Sequence, residues 1–167
     1  MEFPMPVFTE YIIRIVAISM ASFHIYTSYF GTFYPYTQRS LPVMLALILT
    51  FLTIRARKDT SKDAPVPIYD WLLVALTIPA VGYITFNSDY LANRWPMTST
   101  FPVTDLEILF GTIAALLILE ATRRLLGWLL VIVAVVALIY TYWGEHLPFL
   151  SLKHRVYTFE HMLDYMY

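Results

Sequence analysis

Glu120, Arg123 and Arg124 are the residues whose types and spacing most clearly favour a specific interaction. On a helix, the two arginines follow Glu120 by three and four positions, so both guanidinium groups can reach its carboxylate. One interpretation is a group of positive charges that orients the chain in a membrane, with an internal salt bridge. The other is a docking site for a partner helix. Because exposed ion pairs contribute little by themselves, charge alone favours the first interpretation.

Two further ionisable residues, Arg14 and His24, lie in an apolar stretch near the beginning of the sequence and are candidates for intramembrane polar contacts. Arg14 is one turn into the stretch, where its aliphatic stem lets the guanidinium reach the headgroups. Haem bound between helices would need a second intramembrane histidine, but His146, His154 and His161 all lie in the tail. We therefore predict that His24 forms a hydrogen bond within a helix bundle.

The sequence lacks the usual patterns of catalysis and metal binding. It contains no cysteine, which excludes disulfides and thiolate chemistry, and it has no nucleophile with its base, no carboxylate pair, no phosphate-binding loop and no metal-binding motif. Its five glycines are too few for the interrupted helices of a midplane transport site. A net charge of -1 gives no reason to expect nucleic acid. We predict that the protein is not an enzyme and has no catalytic, cofactor or metal site.

The composition is typical of an integral membrane protein. Hydrophobic residues make up 59% of the chain and charged residues only 14%, whereas soluble domains are about half apolar and about a quarter charged. The 13 tyrosines and 4 tryptophans suit the membrane interface, where an apolar ring with a polar tip acts as an anchor. The first ten residues contain two prolines and two glutamates instead of the basic segment of a signal peptide, so we expect the first apolar stretch to be a retained anchor.

The apolar stretches predict an all-α bundle of about four to five transmembrane helices, since about 20 residues cross the hydrocarbon core. The predicted spans cover approximately residues 11–30, 41–56, 68–88, 105–121 and 124–143. We expect residues 1–167 to form a single membrane domain. In the tail, Phe159, Met162, Leu163 and Met166 recur at helical spacing, which predicts a C-terminal amphipathic helix on the membrane surface or on a partner.

Whether the chain has four or five spans depends on how often the segment from Asp105 to Trp143 crosses the membrane. As one straight helix it would be roughly 58 Å long, nearly twice the hydrocarbon thickness, and the charges around Glu120 do not belong at the bilayer centre. Two spans, 106–119 and 125–143, that meet at these charges are favoured, although the charged segment holds no glycine or proline to turn the chain. A helix in the membrane plane is the alternative for the first half.

The connections differ in charge, and this predicts the orientation of the chain. Basic residues are concentrated in the second and fourth connections, as Arg55, Arg57, Lys58, Lys62, Arg123 and Arg124. Because basic loops stay in the cytoplasm, we expect the N-terminus and these two connections inside and the third connection outside. Five spans would place the tail outside, and four would place it inside.

The charged segment and the tail resemble a known family of transporters. The sequence reads LEATRRLLGW from Leu119, YWGEHLP from Tyr142 and HRVYTFEHMLDYMY from His154. This series resembles the N-terminal region of TRAP permeases (tripartite ATP-independent periplasmic transporters) of the TAXI type, in which the small and large membrane parts are often fused. The resemblance is specific from about Ile108 onward and rests on hydropathy and spacing before it. The residues that match a family motif are Glu120, Arg123, Arg124, Gly127 and Trp128.

This resemblance implies a small, non-catalytic, multi-pass subunit of the prokaryotic inner membrane, in contact with lipid and with a large permease subunit. A periplasmic TAXI-type solute-binding protein would deliver a small solute such as an organic acid, and an ion gradient, usually of sodium, would drive transport. The family's sodium and substrate sites belong to the large part, so no transport-site residue is carried over to this sequence. In relatives, the large part begins with a Gly-rich stretch beyond the position of Tyr167. When this resemblance is considered together with charge, docking to a partner becomes the favoured role of Glu120, Arg123 and Arg124.

Two alternatives come from other classes. A membrane-anchor subunit of a redox enzyme is the first, and the lack of a second intramembrane histidine and of cysteines counts against it. An independent small transporter or channel is the second, and the lack of central acidic residues counts against that.

Overall fold

The computed structural model describes residues 7–56, 66–93 and 104–143, and in these residues it is all-helical, which confirms the predicted class. The described helices are α1 (Val7–Phe30), α2 (Pro35–Thr53), α3 (Ile68–Phe86), α4 (Ser88–Asn93), α5 (Asp105–Leu126) and α6 (Trp128–Trp143). The chain divides into two compact units, Met1–Arg94 with α1 to α4 and Trp95–Tyr167 with α5 and α6. The predicted single domain over 1–167 stays a prediction.

The predicted helices are present, but their ends differ. α1 begins at Val7 rather than at residue 11, and α2 covers Pro35–Thr53 against the predicted 41–56. Hydropathy marks the part of a helix that suits lipid, whereas the backbone begins the helix wherever a first turn is favourable. Pro35 is such a place, because its fixed φ suits a first turn and its missing N–H would have no partner there. The sequence does not predict the short helix α4.

In the part of the chain that the structure describes, two helices are long and apolar enough to cross a membrane, namely Phe8–Phe30 and Ile68–Phe86, and Trp128–Thr141 forms a shorter apolar helix. The number of four to five spans therefore stays a prediction. The predicted C-terminal amphipathic helix lies outside the described residues.

The core of the first unit lies between α2 and α3. The Ser40 and Thr85 hydroxyl oxygens are 2.8 Å apart, so the beginning of α2 contacts the end of α3 and the two helices are antiparallel. One turn further along, Gly82 lies opposite Met44, where an added Cβ would be 3.8 Å from the sulfur. The buried apolar side chains of this interface are Leu47, Ile48, Phe51, Leu52, Val74, Ala80 and Val81. Burial of these side chains and the Ser40–Thr85 hydrogen bond together hold the two helices against each other.

α1 contacts α2 but buries little of its own surface. At its end, the ring of Phe23 stacks on Phe33 at 5.8 Å between centroids, and Tyr26 stacks on the same ring at 5.7 Å. These aromatic contacts fix the turn between α1 and α2, since each pair of rings adds a directional contact to the apolar burial. Most of the other apolar side chains of α1 are exposed.

A single glycine separates the two long helices of the second unit. Gly127 has φ 86° and ψ -176°, a conformation that is essentially restricted to glycine. Its N–H donates to the Arg123 carbonyl at 3.1 Å and ends α5. The prediction that two helices meet at the charged segment is wrong in position, because α5 continues through Glu120 and Arg124 and the chain breaks only at the glycine.

At its other end, α5 begins with the Thr104 N–H donating to the Glu107 carboxylate at 2.7 Å, half of a capping box.

α6 differs from the other long helices because none of its residues 128–141 is buried. Its exposed side chains include Leu129, Leu130, Ile132 and Val135, which lie on different sides of the helix. A helix that is apolar all round is typical of a membrane environment or of a large protein interior.

Candidate functional site

The side chain of Glu120 joins the two arginines that follow it on α5. Arg123 donates from Nε to Oε2 and from Nη2 to Oε1, both at 2.7 Å, and so forms a bidentate pair with the carboxylate. Arg124 donates from Nε to Oε1 at 2.8 Å. The prediction that both guanidinium groups reach Glu120 is confirmed. Planar, bidentate recognition of this kind requires arginine, because lysine carries a point charge without the fork of donors.

Trp128 extends this arrangement across the helix break. The guanidinium carbon of Arg123 lies 5.5 Å from the centroid of the Trp128 ring, which is within the range of a cation–π contact. Arg123 is thus held by the Glu120 carboxylate on α5 and by an aromatic ring on α6. We call Glu120, Arg123, Arg124, Gly127 and Trp128 the Glu120 cluster. The predicted resemblance rests in part on these five residues, and in the structure they lie around one glycine.

Burial differs sharply within the Glu120 cluster. The side chain of Arg124 is only 1% exposed, those of Arg123 and Glu120 are 24% and 28% exposed, and Trp128 is 64% exposed. A cation that only marks the cytoplasmic side of a membrane would be exposed, whereas the side chain of Arg124 is covered. With three charge-assisted hydrogen bonds to its two oxygens, the Glu120 carboxylate is a structural anchor and not a proton carrier. The geometry favours a fixed surface on which the Trp128 ring is exposed beside the paired Glu120 and Arg123 side chains.

Arg14 belongs to the first unit and pairs within its own helix. Its Nη2 donates to Oε1 of Glu10, one turn earlier, and both side chains are largely exposed. The sequence reasoning missed this partner, although the spacing of four residues could have found it. The pair replaces a lone cation with a nearly neutral dipole, which is easier to place at the edge of a membrane.

His24 is exposed on α1. Its ring contacts the neighbouring Phe23 ring edge-on at 5.7 Å between centroids. Its backbone carbonyl accepts hydrogen bonds from Thr27 at 3.2 Å and Ser28 at 2.8 Å. The predicted hydrogen bond from the imidazole to another helix stays a prediction.

Two buried acidic residues could not be singled out from the sequence. Asp70 is completely buried in the first turn of α3, and Glu107 is buried in the first turn of α5. The first turn of α3 is a place where the helix dipole favours an anion such as Asp70. The burial of Asp70 depends on contacts between segments that are distant in the sequence, so no local pattern predicts it.

No protein-family model matches this chain, and no curated protein or solved structure is significantly similar to it. The resemblance to TRAP permeases therefore stays a prediction that rests on the quoted residues.

Proposed function

We propose that this protein is the small, non-catalytic membrane subunit of a TRAP-type secondary transporter, which scaffolds a large permease subunit. The observation that carries this proposal is the geometry of the Glu120 cluster. The five residues chosen for their match to a family motif are far enough apart in sequence to lie on two helices, and yet they share one set of contacts. The contacts of Glu120 follow from spacing on one helix, but the contact of Arg123 with Trp128 crosses the break at Gly127 and joins the two helices, and this contact supports a shared role.

The exposed apolar surface supports a membrane location. Large apolar side chains are exposed along α1, α3 and α6, including Ile15, Ile25, Leu72, Ile78 and Leu129. Soluble monomers rarely expose contiguous apolar patches larger than a few hundred Å². Under this proposal, α2, α5 and α6 contribute further spans beside the two long apolar helices, which gives four to five spans. The membrane is the inner membrane of a prokaryotic cell, and the N-terminus lies in the cytoplasm.

The proposed role is to hold the large subunit steady while its transport part moves. The solute, an organic acid or similar small molecule from a periplasmic binding protein, and the coupling sodium ions would bind in the large subunit. The contribution of this chain would be a fixed surface, since hydrogen bonds and close packing lock the side chains of the α2–α3 interface and of the Glu120 cluster. Side chains that are already ordered lose little further freedom when a partner binds.

Co-purification tests the proposed function. In mild detergent, a tagged form of this protein is expected to recover the large permease subunit from cells that produce both, because helix packing in membranes survives where lipid-like molecules replace lipid. An unrelated multi-pass protein of similar size and tag is the control. Recovery of this protein as a lone monomer, with the large subunit present in the same membranes, would contradict the proposal.

The orientation is tested by single cysteines, which the cysteine-free sequence allows without further changes. Ser61, Ser99 and Ser151 lie outside the described residues and in the predicted second connection, third connection and tail. In intact cells, an impermeant thiol reagent is expected to label a cysteine at Ser99 and to leave one at Ser61 unlabelled, because the second connection carries the basic residues. Label at Ser151 supports five spans. A protected Ser151 would return the chain to four spans, and a labelled Ser61 would reverse the orientation.

A further inference from the structure

The connection between α5 and α6 is a single residue. α5 ends at Leu126, α6 begins at Trp128, and Gly127 between them has φ 86° and ψ -176°. A residue that continues an α-helix has φ of about -63° and ψ of about -42°. Because both angles differ so much at one residue, the helix axis breaks there and the chain changes direction.

Crowding does not account for the glycine at this position. Apart from the two chain neighbours, no residue that the structure describes has an atom within 4 Å of a Cβ built on Gly127. An alanine would therefore find space, and it is the positive φ of the break that disfavours it. Leucines flank the glycine on both sides and residues 119–131 contain no proline, so a continuous helix is the competing conformation. Glycine allows both conformations.

Arg123 is the side chain that bridges the break. It pairs with both Glu120 oxygens at 2.7 Å, and its guanidinium carbon lies 5.5 Å from the centroid of the Trp128 ring. The contact with Glu120 lies within one helix and is possible in either conformation. In a continuous helix, however, residues five apart point about 140° away from each other around the axis. The contact of Arg123 with Trp128 is therefore specific to the bent conformation.

The two helices differ in how firmly packing holds them. α5 has buried residues along its length, including Ala114, Leu117 and Ala121, so packing within the unit fixes its position. In α6, none of residues 128–141 is buried, so these side chains form no core that would hold α6 at one angle to α5. A contact that exists in one conformation only then acts directly on the equilibrium between the two.

We propose that Gly127 is a two-state hinge between α5 and α6, and that Arg123 latches its bent state through the Trp128 ring. Glu120 is part of the latch, because the bidentate pair holds the plane of the guanidinium group in place. Release of the ring allows α5 and α6 to join into one helix. All of these contacts lie within one unit of the chain, so the inference does not rest on the proposed function. If both hold, the surface that carries the Trp128 ring exists in the latched state only.

The distance between two spin labels tests the hinge. Because the sequence contains no cysteine, Ile118→Cys on α5 and Val136→Cys on α6 give two labelling sites, and both positions are exposed. They are 18 residues apart, so a continuous helix would place them on the same side, about 27 Å apart along the axis. Gly127→Ala disfavours the positive φ and is expected to give this distance. The wild type is expected to give a different distribution, because the chain turns between the labels.

Trp128→Leu tests the latch in the same doubly labelled protein. The Trp128 side chain is 64% exposed, so its removal leaves the core of the unit unchanged. We expect the ratio of continuous to bent molecules to rise about threefold over the wild type, which is the effect of losing an exposed cation–π contact. Trp128→Phe keeps an aromatic face and is expected to resemble the wild type. Leu129→Ala removes an exposed side chain from the next residue and is the matched control, with no change expected.

A double variant distinguishes a latch from two separate effects. If Arg123 acts through the ring, Arg123→Gln shifts the distances in the same direction as Trp128→Leu, and the two substitutions together shift them no further than the larger single effect. Additive shifts would overturn the latch, and so would an unchanged distribution in Trp128→Leu. A Gly127→Ala distribution equal to that of the wild type would overturn the hinge itself.

Discussion

Replacement of Arg123 and Arg124 together by lysine is expected to reduce co-purification of the large permease subunit by at least about tenfold, since loss of a central arginine from an interface costs about 2 kcal/mol or more. Lysine keeps the charge but cannot bond both Glu120 oxygens in one plane while it faces the Trp128 ring. At position 124 it would also place a strongly hydrated ammonium where the native side chain is 1% exposed. Cysteine labelling is expected to show an unchanged orientation, because lysine satisfies the positive-inside bias.

Arg39→Lys is the control for this variant. Arg39 is an exposed arginine of α2, so lysine can replace it with an effect within about 0.5 kcal/mol. Wild-type recovery of the large subunit with the double lysine variant would mean that Arg123 and Arg124 serve only to orient the chain.

Phe51→Ala is expected to lower the free energy of unfolding in detergent by about 3 kcal/mol, the lower end of the range for a buried phenylalanine. Phe51 is 0% exposed in the last turn of α2, on the helix that packs against α3. In a membrane the lost contacts are mainly van der Waals contacts, because lipid replaces water as the surrounding medium. Reversible unfolding in mixed micelles, followed by circular dichroism, measures the change.

Phe86→Ala provides the matched comparison. Phe86 is the same residue type at the end of α3, but it is 84% exposed, so its removal is expected to change the free energy of unfolding by no more than about 0.5 kcal/mol. Similar losses from the two substitutions would show that the α2–α3 interface does not stabilise the unit.

The helices could be predicted from hydropathy, but their ends could not. Apolar content measures how well a segment suits lipid, whereas the end of a helix depends on individual backbone groups. α2 therefore begins at Pro35, six residues before the apolar run, and α5 continues past its charged residues to Gly127. The glycine is visible in the sequence, but its positive φ is a property of the folded backbone.

The contacts of the candidate site that lie within one helix could be predicted from the sequence. The contacts of Glu120 with Arg123 and Arg124 follow from their spacing on one helix, so the sequence is sufficient to predict them. The contact of Arg123 with Trp128 crosses a helix break and depends on the direction that Gly127 gives to the chain. The Ser40–Thr85 contact between α2 and α3 depends on the register of two helices, which no local pattern specifies.

The apolar character of α6 has a consequence for the insertion of the chain. From Trp128 to Thr141 this helix carries no charged residue, and none of these residues is buried. Leu, Ile and Val each favour insertion by about 0.3 to 0.6 kcal/mol at the centre of a membrane-spanning helix. If α6 is a span, it would enter the bilayer on its own hydropathy, before any contact with another helix forms.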